Sequence, residues 1–469
     1  MRNYTKYLPL GFLICLLLFL SSCQNKYSNN NYVAYFGGEI INPKNPYVLF
    51  CRNNEVLDTL KLDKNNRFFK KFDSLTPGMY SFKHEPEYQY VYFDKNDSIM
   101  LRVNSNEFDN SLIFCGKGDE KNNFLTSLYL KNEEDKNKMF AVFDFPFPKF
   151  SKYIDSCYQN TKKFYEAKKQ EIKWSSDFDK YAKSSLDFHY YSKKEIYPII
   201  HKTRTGTDVF AQLQKNYYNY RKNIDYNNIK LSNYSPFVNY LSHLLNNLGT
   251  IKYHNHFSDI DLSLKTSINK LNIADTLIKN NKVKNTILNN IAFSYLLEDQ
   301  NMMSNQKFFE TYHKYSTDNS QKNEINKIAK SIQLLKKGNQ LPPIELLDTQ
   351  NKIISSNAFA NKKTIIFFWT KDAVSHLEAV HKKVLELQTK HPDYNYVGIN
   401  LKDSEYEWKT VLKTYKFDRI HEYRCPNFDE IKFKWVITKI HRVILLDKEG
   451  KIDNAFANLF EQNFEDNLK

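Results

Sequence analysis

Between residues 32 and 118, apolar and polar positions alternate in short runs, the period-two signature of half-buried strands. The runs at 33–40, 47–52, 55–63, 67–72, 79–84, 88–93, 98–103 and 111–115 are rich in Tyr, Phe, Val and Ile, which suit a pleated surface. Asn42-Pro43, Asp63-Lys64-Asn65-Asn66, Pro77-Gly78 and Lys95-Asn96-Asp97 separate them. Turn signals about ten residues apart predict an antiparallel β-sandwich over 32–118. Cys51 and Cys115 fall within predicted strands. Each reads first as a core thiol, with a bridge between them as the alternative.

From 119 to 338 the apolar period lengthens to that of helices. Phe150, Tyr153, Ile154, Cys157, Phe164 and Tyr165 share one face. Ile287, Leu288, Ile291, Ala292, Tyr295 and Leu296 form a second, and Ile325, Ile328, Ile332 and Leu335 a third. No fixed repeat length appears, so a helical domain is predicted rather than a solenoid. His254-Asn255-His256 places two imidazoles close together. No third Cys, Asp or Glu stands at ligand spacing, so a solvated loop pair is expected and no metal site.

Residues 339–469 mix both periods. Leu341-Pro342-Pro343 ends the helices, and 344–347 with 353–359 reads as a short hairpin. Lys363-Thr364-Ile365-Ile366-Phe367-Phe368-Trp369 is an apolar run suited to a strand buried on both faces. A helix over 374–390 carries Leu377, Val380, Val384 and Leu387 on one side. A strand over 394–401, a helix over 406–415 and a strand over 442–447 follow. Lys448-Glu449-Gly450-Lys451 turns that last strand into another over 452–457. The chain is thus expected to be multidomain α+β, with an N-terminal sandwich, a helical middle and a C-terminal α/β domain of order β-α-β-α-β-β.

The N-terminus has a separate pattern. Arg2 and Lys6 precede an apolar run from 8 to 20, which ends in Leu20-Ser21-Ser22-Cys23. A spanning helix needs about 20 apolar residues, and a processed signal fits this shorter run better. The pattern is that of a bacterial lipoprotein signal over 1–22, with Cys23 as the lipidated residue and 23–31 as a polar tether. Acyl chains on Cys23 would anchor the chain to a membrane. No Asp or acidic cluster follows Cys23, so the expected site is the Gram-negative outer membrane, facing the periplasm.

Composition narrows the function. With 41% hydrophobic residues the chain is not disordered, and a mean hydropathy of −0.64 excludes a polytopic membrane protein. Lys and Arg number 68 against 53 Asp and Glu, a net charge of +15. The basic residues are spread rather than blocked, so a solvated surface beside anionic lipid is expected, not nucleic-acid binding. Six cysteines in 469 residues cannot form a disulfide scaffold. No Gly-x-Ser-x-Gly, His-Glu-x-x-His or phosphate-binding loop is present.

About the last 130 residues resemble the membrane-anchored thioredoxin-like proteins of the TlpA/ResA type. The matching parts are Leu341-Pro342-Pro343 with its hairpin, Ile366-Phe367-Phe368-Trp369, and Leu445-Leu446-Asp447-Lys448-Glu449-Gly450-Lys451-Ile452. The N-terminal arrangement resembles a recurring envelope architecture, in which Gly116-Lys117-Gly118 and Asn122-Asn123 form the exit from the sandwich. The resemblance implies disulfide exchange by a Cys-x-x-Cys pair at a helix N-terminus, where the dipole and amides lower a thiol's pKa. It also implies a cis-Pro opposite the pair. Here the two Cys positions fall on Ala373 and His376, the preceding Trp position on Asp372 and the Pro position on His441. Neither Ala nor His can exchange disulfides.

Two functions follow as expectations. The first is a non-catalytic envelope lipoprotein whose thioredoxin-like domain is a scaffold or a binding module for an envelope protein or ligand, with no cofactor. The second is a thiol-disulfide oxidoreductase that uses Cys425 or a partner's thiol. His376, His441 and Asp372 could gather for metal binding or acid–base work, although exposed filler is the expected role. Glycan binding by the aromatic-rich sandwich is a third, weaker expectation.

Overall fold

The computed structural model describes residues 32–468 except 54, 86, 252–261, 299–301, 360–361, 372, 416, 418–419, 438–439 and 462–463. The signal, Cys23, the tether, His254-Asn255-His256 and Asp372 therefore lie outside the described residues. The chain divides into two compact units, Met1–Asn247 and Leu248–Lys469. The segment 119–338, read from its periodicity as one helical domain, is split between them. Among the described residues no helix is long and apolar enough to cross a membrane.

In the first unit the predicted strands form two four-stranded sheets. They are β1 Ala34–Ile41, β2 Tyr47–Arg52, β3 Glu55–Lys61, β4 Arg67–Phe72, β5 Gly78–His84, β6 Glu87–Phe93, β7 Ser98–Asn104 and β8 Ile113–Lys117. The sheet orders are β4-β1-β7-β8 and β3-β2-β5-β6. Pairing is antiparallel except between β1 and β7, which run parallel. Alternate residues of both sheets meet in one core. At its centre the Phe36 ring lies 5.2–5.9 Å from those of Phe50, Phe68, Phe82 and Phe93.

Cys51 is buried and Cys115 exposed, and both are free thiols. The expectation that Cys115 lies in the core is corrected here. A short helix α1, Phe108–Ser111, precedes β8, and the strand's alternation turns Phe114 inward and Cys115 out.

Helices α2 Asp119–Val142, α3 Phe147–Ile172, α4 Ser176–Thr205 and α5 Ser235–Ile251 follow. They cover the outer side of β6. The Tyr92 ring packs 5.1 Å from Phe178 and 5.7 Å from Tyr181. Tyr90 packs 4.9 Å from Tyr234 and accepts the Ser235 backbone N–H at 3.0 Å. The irregular stretch between α4 and α5 is tied down by the fully buried Glu195, which accepts from the Tyr220 hydroxyl at 2.7 Å and from the Arg221 guanidinium.

The exit from the sandwich is where the two sheets are joined. β6 and β8 are edge strands with unpaired backbone groups. At the start of α2, the Asn122 side chain accepts the Tyr92 N–H at 2.7 Å and donates to the Tyr92 carbonyl at 2.9 Å. The next residue, Asn123, does the same with the N–H and carbonyl of Phe114, both at 2.8 Å. Two consecutive amides thus imitate a strand on both sheet edges. Beside them Lys121 is buried between Asp94 and Asp97, at 2.8 and 2.6 Å.

The second unit begins with helices α6 Leu262–Leu277, α7 Asn281–Glu298, α8 Met302–Tyr315 and α9 Asn319–Leu334. A seven-stranded sheet follows, of order β10-β9-β13-β12-β11-β14-β15. Its elements are β9 Glu345–Leu347, β10 Ile353–Ser355, β11 Thr364–Trp369, α10 Val374–Lys390, β12 Asn395–Asn400, α11 Glu405–Tyr415, β13 His421–Arg424, α12 Phe428–Lys434, β14 Arg442–Leu446 and β15 Ile452–Asn458. β11 pairs parallel with β12, and β12 with β13, while β14 is antiparallel to β11. Ile365, Phe367 and Trp369 of β11 pack against Leu377, Val380, Val384 and Leu387 of α10. β13 and α12 are additions to the predicted order.

Two consequences are measurable. Asn122→Ala leaves both Tyr92 backbone groups without their partner, so it should lower the stability of the first unit by about 2–4 kcal/mol, and Asn123→Ala by about 1–2; urea unfolding reads both. His84 of β5 accepts the Lys44 N–H through Nε2 at 2.9 Å and donates through Nδ1 to the Tyr47 carbonyl at 3.0 Å, which requires a neutral ring. Burial pushes its pKa down, aided by the Lys44 charge and opposed by the Tyr47 hydrogen bond. A lowered pKa gives stability that is complete above the ordinary value of about 6.5 and is lost as pH falls below it. The urea midpoint should therefore fall more between pH 7.5 and 5.5 in the wild type than in His84→Gln, whose amide keeps both hydrogen bonds and does not titrate.

Candidate functional site

The N-terminus of α10 lies at the end of β11, and the loop between them is tied down on both sides. The Lys371 backbone N–H donates to Asp403 at 2.7 Å, and the Lys371 side chain reaches Glu407 at 2.6 Å. Asp403 is itself held by the Asn400 amide. Ala373 is the residue that precedes α10, and it offers no side-chain cap. His376 sits in the helix's first turn, half-buried, and its Nε2–H donates to the Phe368 carbonyl at 3.0 Å.

His376 and His441 stand near enough for the His441 charge to bear on His376. Burial pushes the His376 pKa below its usual value, the hydrogen bond to Phe368 opposes this, and the His441 charge lowers it further. At neutral pH the His376 ring is uncharged. The Phe460 ring stands edge-on to it at 5.9 Å. His441 is half-buried in a turn before β14. The next residue, Arg442, anchors that turn: its buried guanidinium donates to the carbonyls of Ala455 and Val436 and lies 4.0 Å over the Phe456 ring. Burial draws the Arg442 pKa down to about 9. Among the described residues no group of three His, Cys, Asp or Glu could hold a metal ion.

Cys425 follows β13 and is 4% exposed. Its Sγ donates to the Asn427 carbonyl at 3.2 Å, and burial pushes the thiol up to about 11. Disulfide exchange runs through the thiolate. Cys425 at neutral pH is a protonated, enclosed thiol.

A cluster that the sequence did not suggest lies deeper in the same domain. Glu422 of β13 and His381 of α10 form a pair whose side chains are 4% and 2% exposed. His381 Nδ1 faces the Leu377 carbonyl at 2.7 Å and so must carry a hydrogen. Its Nε2 faces Glu422 Oε1 at 3.1 Å, so a proton must also lie between these two atoms. The other carboxylate oxygen accepts the Trp369 indole N–H at 2.8 Å. Phe417 stacks on the imidazole with centroids 3.6 Å apart. Gly398 makes the space: it is Glu422's partner in the β12–β13 register, and a Cβ there would stand 2.3 Å from Oε1. A glycine inside an apolar run was the one sequence signal of this pocket, and it needed β13 beside it to be read.

Glu422→Leu should destabilise the second unit by about 2–4 kcal/mol, because it takes the partner from the Trp369 N–H and from His381 Nε2. Glu422→Gln should cost clearly less, since its amide can accept from Trp369 and donate to a neutral His381. Denaturant unfolding of the two variants separates the cases.

Residues 361–452 match the model of a thioredoxin-like family. No curated protein matches the chain. Among solved structures, the thioredoxin domain of a thiol-disulfide oxidoreductase from Bacteroides vulgatus is 21% identical, covering 28% of this chain and 92% of that one, with a TM-score of 0.24. A thiol-disulfide oxidoreductase from Bacteroides fragilis is 20% identical, covering 27% and 93%, with a TM-score of 0.23. The pneumococcal exposed lipoprotein thioredoxin from Streptococcus pneumoniae is 18% identical, covering 24% and 87%, with a TM-score of 0.22. The C-terminal part of this chain is a thioredoxin-like domain.

Proposed function

We propose that the chain is a cell-envelope lipoprotein, anchored through Cys23, whose thioredoxin-like domain binds a partner and does not exchange disulfides. The carrying observation is the chemistry at the N-terminus of α10. Ala373 and His376 stand where a thiol pair would be activated by the helix, and the domain's one cysteine, Cys425, is buried and protonated. What this helix end presents is an exposed Val374 and a half-exposed, neutral His376 beside Phe460. That combination suits an apolar or hydrogen-bonding partner better than a redox reaction. The partner is an envelope protein or ligand that meets this surface. For the glycan reading Phe36, Phe50, Phe82 and Phe93 are unavailable in the core, and exposed rings such as Phe69 and Tyr88 would have to carry it.

The alternative is an oxidoreductase that works through Cys425 or a partner's thiol. Insulin reduction with dithiothreitol decides between the two. The wild type and Cys425→Ser should both stay at the uncatalysed rate. Ala373→Cys with His376→Cys should gain weak turnover, limited by His441 at the Pro position. Catalysis by the wild type that Cys425→Ser abolishes would overturn the proposal. Acyl labelling and envelope fractionation test the anchor: Cys23→Ala should lose the label and the membrane association together.

A further inference from the structure

Among the described residues of the first unit, the outer face of the sheet β4-β1-β7-β8 carries exposed side chains, unlike the outer side of β6. Its side chains fall in rows set by the register. One row runs Phe69, Gly37, Met100, Cys115. Phe69 is 65% exposed, and its ring stacks on Tyr35 at 5.9 Å. Gly37 keeps this row low and continuous, because a Cβ there would meet the Met100 sulfur at 2.8 Å and the Phe69 ring at 3.1 Å. Ile113, 56% exposed, extends the apolar surface across β8.

The flanking rows are basic. Lys71 and Lys117 stand at one end, Arg67 and Arg102 at the other. The acidic residue within these rows is Glu39, shared between Arg67 at 3.6 Å and Arg102 at 4.0 Å. Asp73 pairs with Lys71 at the rim. An exposed aromatic and aliphatic band with Lys and Arg on both sides matches a lipid–water boundary, where apolar groups enter and cations stay at the headgroups. The position in the chain agrees. β1 lies inside this sheet and begins 11 residues after Cys23, so an extended tether reaches at most about 40 Å. Tyr35, Lys71 and Lys117 lie at the end of the sheet that the tether enters.

We infer that this sheet face docks on the anionic phospholipid surface to which the chain is anchored. The lipid on Cys23 and the basic, apolar sheet face then act as two linked signals on one membrane. The inference rests on the proposed anchor. Its test uses the unlipidated chain from residue 24 onward, which keeps every described residue, so failure of the acyl label and failure of docking are read separately.

Co-sedimentation with phosphatidylglycerol–phosphatidylcholine vesicles is compared with pure phosphatidylcholine vesicles. Binding is expected to the first only, weakening as salt is raised. Each basic side chain near an anionic surface is worth about five-fold in partitioning. Arg102→Gln with Lys117→Gln should therefore weaken binding by about ten- to thirty-fold, and Phe69→Ala should weaken it without changing the salt dependence. Lys162→Gln with Lys163→Gln makes the same charge change on the exposed side of α3, outside this sheet, and should leave binding within about two-fold. Urea midpoints of all variants confirm that they fold. The inference is overturned by equal loss in the two double variants, which would mean binding by overall charge. It is also overturned by absence of vesicle binding, or by Arg102- and Lys117-dependent binding to dextran sulfate in place of vesicles, which would assign the face to a polyanion.

Discussion

Taking a polar group out of water is costly unless a partner replaces the water, and this constraint shapes both units. At the sandwich exit, Asn122 and Asn123 satisfy backbone groups on two sheet edges at once. In the thioredoxin-like domain, Glu422, His381 and Trp369 satisfy one another inside the sheet–helix core. The same constraint decides the chemistry. Burial keeps the Cys425 thiol protonated and, against the pull of its bond to Phe368, keeps the His376 ring neutral. A helix N-terminus can activate a thiol only where a thiol stands there, and here the helix finds Ala373 and His376.

Much of the fold was legible because local signals agreed with it. The strands at 47–52 and 67–72 begin and end where predicted, since each is closed by turn residues. The helix over 374–390 was equally plain, from four apolar residues at helical spacing. β13 was not legible: His421-Glu422-Tyr423-Arg424 has no apolar run, and it forms a strand because β12 offers it a parallel edge. Cys115 was assigned to the core by default, but Phe114 is the residue that the β8 alternation turns inward, which puts its neighbour Cys115 outside. The parallel pairing of β1 with β7 joins segments far apart in sequence, which periodicity does not reveal.

The candidate site was partly legible. Counting from Phe368-Trp369 places Ala373 and His376 at the start of α10, and counting back from Leu445-Leu446-Asp447 places His441 before β14, where its charge bears on His376. A buried or idle thiol was the default reading of Cys425, and after the end of β13 it is buried. The Glu422–His381 pair was hidden because it joins two elements through a glycine on a third.

The central claim is that the thioredoxin-like domain carries no usable thiol, and thiol accessibility by mass spectrometry tests it most directly. The native chain is alkylated with a short pulse of iodoacetamide at neutral pH and each cysteine is followed by peptide mapping. Cys115, exposed on β8, should label quickly. Cys425 should label only after denaturation, consistent with a thiol held near 11. Labelling of Cys425 in the native protein as fast as Cys115 would contradict the account, because it would show an accessible thiolate where the structure encloses a protonated one.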